Sequence, residues 1–420
     1  MTDRIRARPH IVVVHRWRER YAAYTDYLDH RVNNVTYVTT QVGLGGVPAE
    51  AAATALVRAT DDLAEVRARV RELSEQFGTP DGIVALKEDD LEVGAALRAE
   101  YGCRGQRLEA LVAFRDKYVM CSAIRDAGLL VPPFALADDD DSVIQFARVH
   151  GWPVIVKPRI GSSSEGVVRL DSPADLAIHQ LDDTPRLVQK FMASPIFHVD
   201  GYFDGNRLGR WRASRYLNTC LGFRAGRFLG SVEDDDWDRC RCISAAAVAF
   251  LAALTRKPTV FHLELFVVPS PDGGCECSFL EVGARVGGAE IPLVWREVHG
   301  FDLMRVGFEC QLGKVPEAAD QLGSDGAELG GWLLIPAPAA RPCRITESVS
   351  MLDLDPGPYA EWVLPAGEVL PAADAYYEHV GGRFRFRGTS SGAIIAAISN
   401  TARHFRVAAE PLEARFVSQR

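Results

Sequence analysis

Val260-Phe-His262-Leu-Glu264-Leu-Phe-Val-Val-Pro-Ser-Pro271-Asp-Gly-Gly-Cys275-Glu-Cys-Ser-Phe-Leu-Glu281-Val-Gly283-Ala-Arg285-Val286 is the stretch on which the reading of this 420-residue chain turns. The runs Val260 to Val268 and Cys275 to Val286 are rich in aliphatic and aromatic residues and predict two β-strands. Asp272-Gly273 between them suits a tight hairpin, whose central residues need positive φ. A turn centred there sets Glu264 opposite Glu281, with Cβ atoms about 4.5–5.5 Å apart. Two carboxylates so placed repel one another unless a cation lies between them. Alternation adds Gly283 and Arg285 to the Glu281 face and His262 to the Glu264 face. Leu263, Leu265, Leu280, Val282, Ala284 and Val286 fall on the other face and are expected in the core.

A second stretch reads strand, small-residue loop, strand: Trp152-Pro-Val-Ile-Val-Lys157-Pro-Arg-Ile-Gly161-Ser162-Ser163-Ser164-Glu-Gly166-Val-Val. Gly and Ser let backbone N–H groups approach a phosphate without obstruction. Lys157 precedes the loop, within reach of phosphate oxygens. The GxxxxGK[ST] order is absent and the loop leads into a strand, so this is no P-loop. Joined to the paired glutamates, it fits Mg-nucleotide, which needs cationic donors together with a carboxylate-held metal.

The length allows about three domains and a large core. At 47% hydrophobic and 25% charged the composition is that of a globular protein, and a net charge of −9 without a basic run argues against nucleic acid as a partner. Six Lys stand against 41 Arg, which makes each Lys more informative. Arg4, Arg6 and Arg8 are followed by only a short apolar run, Ile11 to Val14, too short for a signal peptide. No apolar stretch approaches the roughly 20 residues of a membrane span. The expectation is a soluble cytoplasmic protein. Nine cysteines fit no disulfide framework and are expected as reduced thiols.

Residues 1–115 alternate strand and helix (helices near 17–28, 61–77 and 91–101) and predict a parallel α/β layer. From about 116 to 200 the pattern is α+β, opening on a helix from Lys117 to about Asp126. Residues 201–420 hold the hairpin, a helix near Asp238 to Leu254 and a β-rich tail. The acidic runs Asp138 to Asp141 and Glu233 to Asp236 are expected as solvated turns or helix N-terminal charges.

On these motifs, in this order, the chain resembles an ATP-grasp carboxylate–amine ligase of the L-amino acid ligase kind, over roughly residues 80 to 310. The resemblance implies an N-terminal Rossmann-like α/β domain, an α+β lid and a C-terminal β-rich catalytic domain. It implies Lys117 and Lys157 as the two nucleotide lysines and Gly161 to Gly166 as the loop over the triphosphate. Leu187-Val-Gln189-Lys190-Phe-Met192 becomes the hinge that reads adenine through backbone groups of Lys190 and Met192. Glu264 and Glu281 become the magnesium ligands, with Mn2+ as an alternative ion, and Arg285 the contact to the transferred phosphate.

Two positions depart from that pattern. Gly283 stands where the family usually has a metal-binding Asn, a position at which some amino-acid ligases of the superfamily also carry a small residue; His262, facing it, either occupies the freed space or is a strand His satisfied by its neighbours. Ile196 stands where a ribose-binding Glu is usual, with His198 or Asp200 as substitutes. Gly287-Gly288 ahead of a predicted helix offers backbone N–H groups to a substrate carboxylate, and Arg296 and Trp295 are candidate pocket walls. The implied reaction joins two amino acids, or a small acid and an amino acid, through an acyl phosphate. A carboxylase using carboxyphosphate and a nucleotide-binding regulator without turnover are the alternatives. A homodimer is the assembly common among such enzymes.

Overall fold

The computed structural model describes residues 8–18, 21–179, 183–270, 274–316, 328–372 and 380–412. Arg4, Arg6 and the turn residues Asp272 and Gly273 lie outside them.

The opening layer is a parallel sheet ordered Ala53–Leu56, Asn34–Thr39, His10–His15, Gly82–Ala85. Helix Leu63–Phe77 buries Val66, Val70 and Leu73, the stripe its 3.6-residue spacing predicts, and is N-capped by Asp62. Helix Leu91–Glu100 packs beside it. The helix expected over 17–28 is a single turn, Tyr24–Tyr27. Its aromatic residues are held by tertiary contacts instead: Trp17 on Tyr21, and Tyr24 on Tyr37 and Phe308. Packing outweighs the indifferent helix propensity of Tyr and Trp here.

A second, antiparallel sheet is ordered Phe134–Leu136, Arg186–Lys190, Val154–Pro158, Val168–Leu170, with helix Asp140–His150 against it. Asp139 caps that helix, as the acidic run predicts. The third and largest sheet has eight antiparallel strands: Cys275–Gly283, Thr259–Pro269, Ile196–Phe203, Leu208–Leu217, Leu229–Glu233, Leu329–Pro336, Val380–Gly388 and Ala360–Val363. Strand Ile196–Phe203 pairs with Thr259–Pro269, so the division expected at 200/201 falls inside a strand of this sheet. Helix Trp237–Leu254 covers one face, and Ser391–His404 packs under the tail.

The hairpin is bulged. Near the loop Pro269 faces Cys275 and Leu265 faces Phe279; one residue later Glu264 faces Glu281. Leu280 is the extra residue on its strand. The expectation that Leu280 enters the core is therefore corrected. Phe279 is fully buried there and packs edge-on to Phe250 at 5.3 Å, while Leu280 is half-buried.

Two polar expectations change as well. Cys242, in helix Trp237–Leu254, and Cys275 form a disulfide, while the other seven cysteines are free; the expectation of nine reduced thiols is corrected for that pair. Glu233, expected in a solvated turn, is 4% exposed, taking hydrogen bonds from Gly330 N–H at 2.8 Å and His299 at 2.7 Å. No helix among the described residues is long and apolar enough to cross a membrane.

Candidate active site

A cavity of about 270 Å³ is bordered by Glu264, Glu281, His262, Arg285 and the loop Ser162 to Ser164. The hairpin register places Glu264 directly opposite Glu281, and His262 opposite Gly283. Glu264 accepts from the Tyr216 hydroxyl at 2.8 Å and lies 3.4 Å from His262 Nε2. Burial alone would raise its pKa, but the hydrogen bonds from His262 and Tyr216 and the His262 charge hold it below the ordinary value. Glu281 remains the more exposed of the two, 36% against 13%. Two acidic side chains facing one another on a cavity wall fit a divalent cation.

Lys117 opens the helix Lys117–Asp126 behind its cap Asp116. Its ammonium donates to the Gly161 carbonyl at 2.8 Å and lies 3.7 Å from Glu281. Lys157, on the neighbouring strand, is 4% exposed. Burial pushes its pKa down against the pull of Glu281. Between them the loop turns sharply, with Ser163 and Ser164 both at φ +56°. Ser162 Oγ donates to Asp89 at 3.2 Å, fastening the loop to the parallel layer. A Cβ at Gly166 would come within 2.9 Å of Pro158, so this turn needs glycine for space as well as for its φ of +65°.

Arg285 donates through Nε to Glu88 Oε2 at 2.5 Å and through Nη1 to the Val286 carbonyl at 3.1 Å. Glu88 follows the strand Gly82–Ala85 and also accepts from Arg115 at 2.8 Å. Gln311 fixes that strand end, its Oε1 accepting from the Ala85 N–H and its Nε2 donating to the Ala85 carbonyl. Sequence reasoning missed Glu88. The signal was there, since Lys87-Glu88-Asp89-Asp90 leaves the C-terminal end of a parallel strand, where open α/β sheets bind ligands.

Behind the hairpin runs a buried chain of hydrogen bonds. Ser231 Oγ meets His198 Nε2 at 2.7 Å, His198 Nδ1 meets Asp200 at 2.6 Å, and Asp200 meets His262 Nδ1 at 2.9 Å. His198, Asp200 and His262 are the only group of three or more His, Cys, Asp and Glu close enough for a metal among the described residues. Both His198 nitrogens and His262 Nδ1 are already engaged by Asp200 and Ser231, and His262 Nε2 lies 3.4 Å from Glu264. The chain lies under Gly287, where a Cβ would sit 2.4 Å from Asp200 and 2.8 Å from His262. Gly287 and Gly288 border the cavity and lead into helix Ile291–His299, as expected.

Not every expected residue reaches the cavity. His198 is 1% exposed and held between Asp200 and Ser231, outside the cavity lining. The guanidinium of Arg296 is engaged by Asp302 at 3.1 Å and the Tyr21 carbonyl at 2.6 Å, tying the helix to the N-terminal segment. Trp295 is a core residue at 4% exposure. Gln189, Lys190 and Met192 stand on the lid sheet or at its exit, outside the cavity wall. Gly283 is overlaid by Glu88 rather than by His262: a Cβ there would be 2.6 Å from Glu88 Oε2. The far wall is aromatic and apolar, with Trp17, Tyr21, Phe223 and Trp332.

No family model matches the chain. Over 229 residues it is 27% identical to the L-arginine-specific L-amino acid ligase of Bacillus subtilis, covering 51% of this chain and 54% of that protein. The match thus spans about half the length of the curated relative. The crystal structure of L-amino acid ligase from Bacillus licheniformis superposes with a TM-score of 0.73 at 18% identity, covering 95% of this chain and 98% of that one. The biotin carboxylase domain dimer of the Hydrogenobacter thermophilus 2-oxoglutarate carboxylase, in complex with MgADP, ADP and bicarbonate, gives 0.66 at 12% identity over 95% and 90%. By these superpositions the chain has the ATP-grasp fold, and it resembles the L-amino acid ligases.

Proposed function

We propose that the chain is an ATP-dependent carboxylate–amine ligase that joins two amino acids, or a small acid and an amino acid, releasing ADP and phosphate. The observation that carries this reading is Glu264 facing Glu281 on a cavity wall that the serine loop also lines, with the Lys117 ammonium 3.7 Å from Glu281. The two acids would hold Mg2+, which when bound supplies positive charge to the nucleotide phosphates. Lys117, Lys157 and the loop N–H groups bind and orient the triphosphate. A substrate carboxylate oxygen attacks the γ-phosphorus, the bond from that phosphorus to the β-phosphate oxygen breaks, ADP leaves, and the substrate becomes an acyl phosphate. Arg285 faces the transferred group and stabilises its charge. An amine then attacks the acyl carbon, phosphate departs, and the amine proton is lost to give the amide. The loop, fastened by Ser162 to Asp89, keeps water from the acyl phosphate. Backbone N–H groups at Gly287 and Gly288 are suited to a substrate carboxylate.

The test is ADP release across a panel of amino-acid pairs, with mass spectrometry for the condensed product. Product formation dependent on both partners supports the reading. ATP turnover with bicarbonate and no amine would replace it with the carboxylase alternative, which the bicarbonate-bound neighbour favours.

A further inference from the structure

We infer that Glu88 is a positioning residue for Arg285, and that residue 283 is glycine because the Glu88 carboxylate fills the space above it; the inference rests on the ligase reading. Glu88 comes from the parallel layer, Arg285 from the end of the hairpin, and Arg115 from helix Leu108–Arg115, so three separate segments meet at one carboxylate. Its side chain is 11% exposed. One oxygen takes the Arg285 Nε proton at 2.5 Å and the other the Arg115 Nη1 proton at 2.8 Å. With Nε bound to Glu88 and Nη1 to the Val286 carbonyl, two edges of the Arg285 fork are fixed. A planar group held at two edges has little rotational freedom, so its remaining donors point one way.

Gly283 supports the same conclusion independently. Its φ lies outside the left-handed region, so backbone conformation does not call for glycine. Space does: a Cβ at 283 would sit 2.6 Å from Glu88 Oε2 and 3.5 Å from its carboxyl carbon. A side chain at 283 would therefore require the Glu88 carboxylate to move out of its present contacts with Arg285 and Arg115. The resemblance leads one to expect a polar side chain at 283, and here a carboxylate from another domain occupies that place.

The test uses the full chain with four variants: Glu88→Gln, Glu88→Ala, Gly283→Asn, and the pair Glu88→Ala with Gly283→Asn. Steady-state kinetics, binding of a non-hydrolysable MgATP analogue and thermal melts are recorded for each. Glu88→Gln is expected to lower kcat about 10- to 100-fold while analogue affinity stays within about threefold, because the Arg285 plane is freed and the nucleotide contacts are kept. Gly283→Asn alone is expected to lower both kcat and the melting temperature. Added to Glu88→Ala it is expected to cost nothing further, since the space is then open. An unchanged kcat in Glu88→Gln, or analogue affinity that falls in step with kcat, overturns the positioning role. Gly283→Asn melting like the parent overturns the packing claim, and the melts decide it whether or not turnover is seen. Wild-type protein that turns over no substrate pair sinks the ligase reading instead.

Discussion

Lys117 Nζ stands 3.7 Å from Glu281 Oε2 while donating to the Gly161 carbonyl at 2.8 Å, so a single ammonium touches both the acidic hairpin and the loop opposite it. Glu281 is 36% exposed against 11% for Lys117, and with its acid open to water and its charges 3.7 Å apart the pair adds little to stability. Its use lies in holding positive charge where phosphate would enter. Lys117→Met is expected to raise the KM for ATP by about tenfold or more while shifting stability by less than about 1 kcal/mol. ATP titration beside a thermal melt checks this, and a collapse of the melt with unchanged KM would reverse the assignment.

The loop offers a second separation of binding from folding. Ser163 and Ser164 both sit at φ +56°, a conformation that costs a non-glycine residue roughly 1–2 kcal/mol. Replacing Ser164 with Gly relieves that cost but widens the freedom of the open loop. The variant is expected to melt no lower than the parent, within about 1 kcal/mol, and to bind MgATP more weakly. Limited proteolysis with and without nucleotide gives the readout, with protection by MgATP reduced in the variant.

Much of this site was legible because strand alternation and hairpin pairing are local. His262, Glu264, Glu281, Gly283 and Arg285 fall where period two puts them, and the small-residue loop lies where a phosphate loop was expected. What escaped was set by contacts distant in sequence. Glu88 meets Arg285 across 197 positions, and nothing near either residue announces the other. Arg296 looked like a pocket wall until its partners Tyr21 and Asp302 drew it outward. His198 shares its strand face with Asp200, which predicted their neighbourhood but not that Ser231 would close the far side.

The buried Asp200 carries a pH prediction. Burial opposes its charge, yet the two imidazoles hold its carboxyl far below the ordinary range. Burial likewise opposes a charged His262, and Asp200 and Glu264 overcome it, together with the weaker opposing push of Arg285. The result is a pKa raised from 6.5 to about 9. A raised folded-state value means the stabilisation is complete below pH 6.5 and fades as pH rises through about 9. Wild-type protein should therefore lose stability over that interval relative to His262→Gln, as chemical denaturation at several pH values would show. Asp200→Asn is expected to cost about 3–5 kcal/mol near pH 7, since it removes the partner of a buried cation.

The bulge at Leu280 makes the sharpest test of the fold, because it decides which of two adjacent residues carries the core. Without a bulge the pairing that sets Glu264 opposite Glu281 would send Leu280 inward and Phe279 outward. With it, Phe279 is fully buried against Phe250, and Leu280 is left half-buried. Emptying a closed aromatic site costs the transfer of the ring and the cavity left behind. Phe279→Ala is thus expected to destabilise by about 3–5 kcal/mol. Leu280→Ala, with part of its surface already in water, should fall well below the roughly 2–5 kcal/mol of a buried leucine. Denaturant titration of both variants settles the register. Equal losses, or a larger one at Leu280, would mean that the strand runs straight, which would move the hairpin loop by one residue relative to the two glutamates.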